Sequence, residues 1–277
     1  YLDMYKDKEL QEPYGDDWPD CYILKALRYP GSQYSKEEAI RARKAFYAQC
    51  TQIDYEIRLL IGTLRECNLL DDTIIVFLSD HGDMLFDHNM VAKRLMYDNS
   101  ARIPLIITGK PALEYRGKGY EDKLATMSDV MPTLLDMCGI SIPDHVDGFP
   151  LFSSNKREYI YGEVSNGEKA TRMIRNERYK LIYYPTGNVK QLFDMVNDPH
   201  ETHDLSGTDE YKPILESMEK TLITELYGSD LDWIKDGRLV GVEAPAEFQP
   251  NPDFGLYNQR GYHWPQPKGY SNKGKNA

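Results

Sequence analysis

Residues 73–78 form a continuous run of apolar and β-branched side chains, Thr-Ile-Ile-Val-Phe-Leu. Such a run is typical of a strand covered on both faces, as in the interior of a parallel sheet. Between residues 40 and 64, apolar side chains recur every three or four positions, which predicts an amphipathic helix. Ser35 followed by Glu38 matches a capping box at the start of that helix. With a second apolar run at residues 103–108, the order of elements predicts an α/β fold with a mainly parallel sheet flanked by helices.

The second half of the chain has a different pattern. Short β-like runs between residues 158 and 193 are separated by Asn-Gly, Asn-Glu and Thr-Gly-Asn turn signals, which predicts a small antiparallel sheet. A helix over residues 211–227 is expected to follow it. We therefore predict a portion of an α/β domain over residues 1–150, an antiparallel sheet plus helix subdomain over 151–235, and an extended Pro-, Gly- and aromatic-rich tail over 236–277.

Two segments of the first half have weaker local patterns. Residues 1–35 are rich in Pro, Gly, Tyr and Asp without periodicity, which predicts an irregular segment that closes over a part of the protein upstream. Ser128 is predicted to cap a helix that stops at Gly139, with Met131 and Cys138 among its inward-facing residues.

Composition excludes several classes of function and of site. The formal net charge of -11 argues against general binding to nucleic acid or to a membrane surface, because both are polyanions. No run approaches the roughly 18 consecutive apolar residues of a membrane span. The four cysteines show no metal-binding spacing and are predicted to be structural. Cys50 and Cys67 would lie too far apart on one helix to form a disulfide.

Candidate metal ligands follow the first apolar run directly. Asp80 offers a hard carboxylate and His81 an imidazole, a pair compatible with Ca²⁺, Mn²⁺ or Zn²⁺, and Gly82 lets the backbone turn without side-chain obstruction. Loops at strand ends commonly gather ligand-binding groups. The alternative is that Asp80 caps a following helix and His81 is an ordinary surface imidazole.

The segment from residue 79 to residue 107 resembles the sulfatase family of the alkaline phosphatase superfamily, together with the related phosphonate monoester hydrolases. In that family an apolar strand is followed by S/T-D-H/N-G, L-G-x-H, a Lys, an acidic residue and R-x-P-L. The residues in register here are Asp80, His81, His88, Lys93, Asp98 and the run Arg102-Ile103-Pro104-Leu105. Further matches at residues 128–136, 147–151 and 191–201 extend the resemblance over most of residues 36–206 and imply an alkaline phosphatase-like fold.

The resemblance implies a role for each matching residue. Asp80 and His81 would be ligands of a divalent metal, which the resemblance indicates is Ca²⁺, with Mn²⁺ or Zn²⁺ as alternatives. Lys93 would bind the sulfate ester and stabilise negative charge on the leaving oxygen. His88 would bind substrate or transfer a proton. The alternative for His88 is a role in fixing the loop, because Phe86 occupies a position where the family usually has Gly.

The family's nucleophile is a formylglycine made from Cys or Ser in C/S-x-P/A-x-R, and this motif is absent from the 277 residues. We therefore expect formylglycine and further metal ligands in a preceding segment of the same protein, as the partner of this chain. The chain alone is expected to be inactive, and the substrate to be a sulfated small molecule or carbohydrate. The resemblance favours a periplasmic or secreted location. Two alternatives remain: a phosphonate monoester or phosphodiester hydrolase, and a non-catalytic fragment.

Overall fold

The computed structural model describes residues 1–28, 34–119 and 123–245, with two short strands at 257–258 and 261–262. Its α-helices are α1 (Tyr22–Leu27), α2 (Lys36–Glu66), α3 (Asp98–Ala101), α4 (Lys110–Arg116), α5 (Val130–Met137) and α6 (Lys212–Glu225). Its strands are β1 (Ile75–Leu78), β2 (Leu105–Thr108), β3 (Ile160–Val164), β4 (Thr171–Arg175), β5 (Tyr179–Tyr184), β6 (Val189–Asp194), β7 (Ile234–Lys235), β8 (Arg238–Leu239), β9 (Tyr257–Asn258) and β10 (Gly261–Tyr262).

The long helix α2 begins with the predicted capping box. The Ser35 hydroxyl accepts a hydrogen bond from the Glu38 amide, and the Glu38 carboxylate accepts one from the Ser35 amide at 2.8 Å. These two bonds satisfy amides that the first helical turn leaves without partners. The C-terminal half of the helix is poorly covered by the described residues, and Ile53 and Leu60 are 51% and 66% exposed.

Strands β1 and β2 pair antiparallel, with Phe77 opposite Ile106. The prediction of a mainly parallel sheet is therefore wrong for this pair. A continuous apolar run indicates burial but carries no information on strand direction. Moreover, the connection between β1 and β2 contains only single helical turns, not the long crossover helix that parallel neighbours usually need. The side chains of Phe77 and Ile106 are 37% and 53% exposed, so this face of the pair is open within the described structure.

The predicted antiparallel sheet is confirmed, with strand order β3-β4-β5-β6, and the helix predicted after it is α6. Successive residues of β5 point to opposite faces of the sheet, so Leu181 and Ile182 belong to two separate cores. One core packs α6 and Trp233 against the sheet. The other packs the N-terminal segment and the loop after β1 against it, with Trp18 and Tyr97 among the buried residues.

Two local predictions are corrected. The N-terminal segment is not wholly irregular, because it contains α1, whose six residues are too few to show periodicity in sequence. Its buried side chains pack on residues that follow it in the chain. Before α5, the Thr126 amide donates to the Asp129 carboxylate across a turn of 3-10 helix, so Thr126 rather than Ser128 marks the start. Met131 is 48% exposed and Cys138 is also exposed, so neither faces inward.

All four cysteines are free, so Cys50 and Cys67 form no disulfide, as predicted. Within the described residues, no helix is both long enough and apolar enough to cross a membrane. The prediction of an extended tail over residues 236–277 falls largely on residues 246–256, 259–260 and 263–277, which lie outside the described residues.

Candidate metal and sulfate site

Asp80 and His81 lie at the carboxyl end of β1, and their side chains converge. The His81 Nδ1 atom donates to the Gly82 carbonyl oxygen at 2.7 Å, which leaves Nε2 facing outward. Nε2 lies 3.3 Å from Asp80 Oδ2. The Asp80 side chain is 79% exposed and that of His81 35% exposed, so both can be approached from solvent. With Nδ1 as the donor, Nε2 and the Asp80 carboxylate oxygen can both offer a lone pair to a cation placed between them.

The donor set fits a divalent cation. Adjacent ligands on one ion, with bonds of about 2.0–2.6 Å, lie about 3–3.5 Å apart, and the Asp80 to His81 distance falls in this range. A backbone carbonyl that orients the second imidazole nitrogen is typical of metal-bound histidine. The described residues contain no group of three or more His, Cys, Asp or Glu side chains that could hold a metal. They therefore offer two ligands of a candidate site rather than a complete set.

Gly82 holds this pair against the short helix α3. Its amide donates to the Ser100 carbonyl oxygen at 2.8 Å. A Cβ atom at position 82 would lie 2.0 Å from the Asn99 carbonyl oxygen, so no side chain fits there. Glycine is therefore needed at position 82 because the backbone there lies in close contact with the backbone of α3.

Two hydrogen bonds bring Ala92, the residue before Lys93, back to the start of the loop. The Met84 amide donates to the Ala92 carbonyl oxygen, and the Ala92 amide donates to the Asp83 carboxylate. Ala92 immediately precedes Lys93, and Asp83 lies two residues after His81. The Lys93 side chain is half-buried and makes no hydrogen bond or ion pair with any residue that the structure describes. Its ammonium group is therefore available to an anionic ligand.

His88 occupies a different environment from the other candidate residues. Its side chain is fully buried, with Nδ1 3.1 Å from Asp16 Oδ2 and Nε2 3.1 Å from the His200 carbonyl oxygen. Both ring nitrogens thus lie within hydrogen-bond distance of oxygen atoms from distant parts of the chain, which fixes the orientation of the ring. The rings of Tyr14 and Trp18 pack against it. In this arrangement His88 contacts no solvent, so the structure favours the loop-fixing alternative over the predicted contact with substrate.

Asp98, which the family motif also contains, forms contacts that join two parts of the structure. Its carboxylate forms ion pairs with Lys180 and with Arg175, and its amide donates to the Glu201 carboxylate at 2.6 Å. Burial acts to raise the pKa of Asp98, but Lys180 and Arg175 outweigh it and hold that pKa below its ordinary value. Asp98 therefore links the loop after β1 to the antiparallel sheet as a fixed anion.

Sequence reasoning missed the residues that hold the loop from residue 83 to residue 93. Asp87 is buried, and its carboxylate accepts hydrogen bonds from Arg43 on α2, from Asn99 on α3 and from the Tyr14 amide. These partners are up to 73 positions away in the chain, so no local pattern indicates them.

Two family models match the chain. The model described as N-sulphoglucosamine sulphohydrolase, C-terminal, matches residues 86–227, and the model described as Sulfatase matches residues 5–140. An arylsulfatase from Clostridium perfringens (strain 13 / Type A) is 35% identical over 258 residues, which cover 87% of this chain and 52% of that protein.

Solved structures share the fold. A phosphonate monoester hydrolase from Silicibacter pomeroyi superimposes with a TM-score of 0.68 at 23% identity, covering 86% of this chain and 55% of that chain. A structure in complex with its substrate D-glucosamine-2-N,6-O-disulfate superimposes with a TM-score of 0.56 at 24% identity, covering 70% of this chain and 44% of that chain.

These matches confirm the α/β, alkaline phosphatase-like fold class. The chain spans about half or less of the length of the curated relatives it matches. The two family models together extend from residue 5 to residue 227, across both the loop after β1 and the antiparallel sheet. The chain belongs to the sulfatase family of the alkaline phosphatase superfamily.

Proposed function

We propose that the protein containing this chain hydrolyses sulfate esters on a sulfated carbohydrate, with Asp80 and His81 as ligands of a divalent cation and Lys93 in contact with the sulfate. The observation that carries the proposal is the pair of facing donor atoms at the end of β1, 3.3 Å apart. Family membership supports sulfate ester hydrolysis. The related structure bound to D-glucosamine-2-N,6-O-disulfate supports a sulfated sugar as the substrate class.

In this proposal, Asp80 and His81 have separate tasks. The Asp80 carboxylate contributes negative charge and a hard oxygen donor, which Ca²⁺ prefers, with Mn²⁺ or Zn²⁺ as alternatives. The hydrogen bond from His81 Nδ1 to the Gly82 carbonyl oxygen orients the ring so that Nε2 is directed at the same point. When bound, the cation would polarise the sulfate and neutralise charge on its oxygens.

Lys93 would act on the leaving group. As sulfur–oxygen cleavage proceeds, negative charge develops on the bridging oxygen, and a nearby ammonium stabilises that charge in the transition state. Since its ammonium has no partner among the described residues, Lys93 can bind the ester without first breaking an ion pair. We assign it to catalysis and to substrate binding.

We further infer that the nucleophile and the remaining metal ligands belong to another segment of the same protein. The C/S-x-P/A-x-R motif is absent from the 277 residues, and the described residues form no three-ligand group. The exposed cross-strand pair of Phe77 and Ile106 gives such a segment an apolar face on which to pack. A formylglycine there would supply the attacking oxygen, so the chain alone should be inactive.

The metal assignment is tested by metal content. Asp80→Asn and His81→Ala should each lower the Ca²⁺ bound per molecule of the full-length protein, and should abolish reactivation by Ca²⁺ after treatment with a chelator. His203→Ala is a matched control, because His203 also pairs with a carboxylate, Asp17, at 2.6 Å on the surface. Unchanged metal content in both site variants would reject Asp80 and His81 as ligands.

The substrate class is tested by comparing substrates at equal concentration. Faster release of sulfate from sulfated glucosamine derivatives than of product from aryl phosphonates or phosphodiesters is expected. The reverse order would favour the phosphonate monoester or phosphodiester hydrolase alternative. Absence of turnover on either class by the full-length protein with its metal bound would favour a non-catalytic role.

A further inference from the structure

The loop from residue 83 to residue 94 has an unusual backbone. Of the eleven non-glycine residues with positive φ in the described structure, six lie in this loop. They are Leu85, Phe86, His88, Asn89, Ala92 and Arg94, with φ between 46° and 81°. Side chains with a Cβ atom disfavour this left-handed region, so each position costs conformational free energy that contacts elsewhere must offset. A segment with so many such positions keeps its shape only if its surroundings hold it.

The buried ion pair of Asp87 and Arg43 contributes much of the stabilisation of this loop conformation. All three nitrogen atoms of the Arg43 guanidinium have partners. Nη2 pairs with the Asp87 carboxylate. Nε donates to the Leu85 carbonyl oxygen and Nη1 to the Gln11 carbonyl oxygen, each at 2.9 Å. Both side chains are more than nine-tenths buried. Since the pair lies away from water, removing either partner would leave an uncompensated buried charge.

Asp87 also ties the loop to two further elements. Its second carboxylate oxygen accepts from Asn99 Nδ2 at 2.7 Å, and its first accepts from the Tyr14 amide at 3.0 Å. One carboxylate thereby connects α2, α3 and the N-terminal segment to the middle of the loop. The Gly82 amide donates to the carbonyl oxygen of Ser100, the residue after Asn99, so the same short helix also contacts the metal-ligand segment.

We propose that Asp87 is a positioning residue for Lys93: its buried carboxylate, held by Arg43, Asn99 and the Tyr14 amide, keeps the loop in the conformation that presents the Lys93 ammonium to the substrate. This inference rests on the proposed role of Lys93. Asp87 does not touch the substrate. It acts through the loop, because a displacement of about 1 Å in a catalytic group can cost about 100-fold in rate.

The test uses the full-length protein and a series of aryl sulfates whose phenols differ in pKa. Asp87→Asn keeps the shape of the side chain but removes its charge, and we expect kcat to fall about 10- to 100-fold. If Lys93 is displaced, the leaving oxygen loses its stabilisation, and kcat should depend more steeply on the pKa of the phenol. Lys93→Ala should show the same steeper dependence. The double variant should be within about threefold of Lys93→Ala alone, because both changes remove one effect.

Asp230→Asn is the matched control. Asp230 pairs with Arg172, and both side chains are more than nine-tenths buried, but Arg172 lies over the ring of Trp233, which belongs to the core that contains α6. Its loss should lower thermal stability without changing the dependence on the phenol pKa. Arg43→Lys is a second variant in case Asp87→Asn does not fold. Lysine retains the ion pair but cannot also donate to the Leu85 and Gln11 carbonyl groups. The variant should give an intermediate fall in kcat and a steeper dependence of kcat on the pKa of the phenol.

The outcomes separate the two proposals. The positioning proposal is overturned if the reductions in kcat caused by Asp87→Asn and Lys93→Ala multiply in the double variant. It is also overturned if kcat of Asp87→Asn depends on the phenol pKa as in the wild type. In either case Asp87 has only a structural role. If Lys93→Ala itself turns over aryl sulfates at the wild-type rate, the proposed function of Lys93 is rejected first, and the positioning proposal with it.

Discussion

The Asp83 carboxylate accepts a hydrogen bond from the Ala92 amide at 3.0 Å, across nine positions of the chain. The same oxygen accepts from the Leu85 amide at 2.9 Å. One side chain therefore ties the first turn of the loop after β1 to its last residues. This contact joins the start of the loop, which follows Asp80 and His81, to Ala92, the residue before Lys93.

Asp83→Ala should open this loop. The substitution removes the acceptor of two backbone amides, which we expect to destabilise the protein by about 1–2 kcal/mol. Asp83→Asn retains Oδ1 as an acceptor and should cost less than half as much. Denaturant unfolding of the full-length protein measures both, and an alanine variant as stable as wild type would show that other contacts close the loop.

Ala92→Gly should stabilise the protein. Ala92 is exposed and has a φ of 61°, a conformation that glycine adopts without penalty. Relief of this strain should outweigh the greater entropy of glycine in the unfolded chain, for a net gain of about 0.5–1 kcal/mol. Ala42→Gly, within α2, is the control with opposite sign and should cost about 1 kcal/mol. A loss of thermal stability in Ala92→Gly would contradict the left-handed conformation at that residue.

Gly82→Ala should be strongly destabilising, because its Cβ atom would overlap the Asn99 carbonyl oxygen. A backbone clash of this kind requires a shift of either the metal-ligand segment or α3, and we expect a cost of about 3 kcal/mol together with weaker binding of Ca²⁺. Gly62→Ala offers the contrast, since a Cβ atom there meets nothing within 4 Å inside α2. That variant should gain about 0.5–1 kcal/mol. Equal thermal unfolding midpoints for the two variants would rule out the close contact at Gly82.

Local patterns in the sequence predicted those parts of the fold that depend on neighbours in the chain. Helix α2 begins where its capping box indicates, and the turn signals separate the four strands of the antiparallel sheet. The direction of β2 relative to β1 could not be predicted, because an apolar run is the same in either direction. The sequence also could not decide between the two predicted roles of His88, since its partners Asp16 and His200 are 72 and 112 positions away.

One departure from the family motif did contain a signal for the loop. Phe86 stands where the family usually has Gly, and the structure gives this residue a φ of 72°. A position that favours glycine indicates a left-handed backbone. The substitution by Phe therefore pointed to a strained loop, and a strained loop requires buried anchors such as Asp87 and Arg43.

The stability contributed by Asp194 should depend on pH. Its buried carboxylate pairs with Arg178, accepts from the Asn197 side chain and accepts from the Val196 amide. Arg178 is the main reason that the pKa of Asp194 is held below its ordinary value. A lowered folded-state pKa means that the contribution is fully present above the ordinary aspartate pKa of about 3.9 and is lost as the pH falls through the folded-state value.

Asp194→Asn removes the charge but keeps an oxygen acceptor for the Val196 amide, so it should cost about 1 kcal/mol at pH 7 and progressively less below pH 4. Urea unfolding of wild type and variant at pH 7, 5 and 3 measures the difference. Arg178→Gln should show the same pH dependence, because it removes the other partner of the pair. A cost that stays constant, or that grows as the pH falls, would mean that the Asp194 charge does not stabilise the folded sheet.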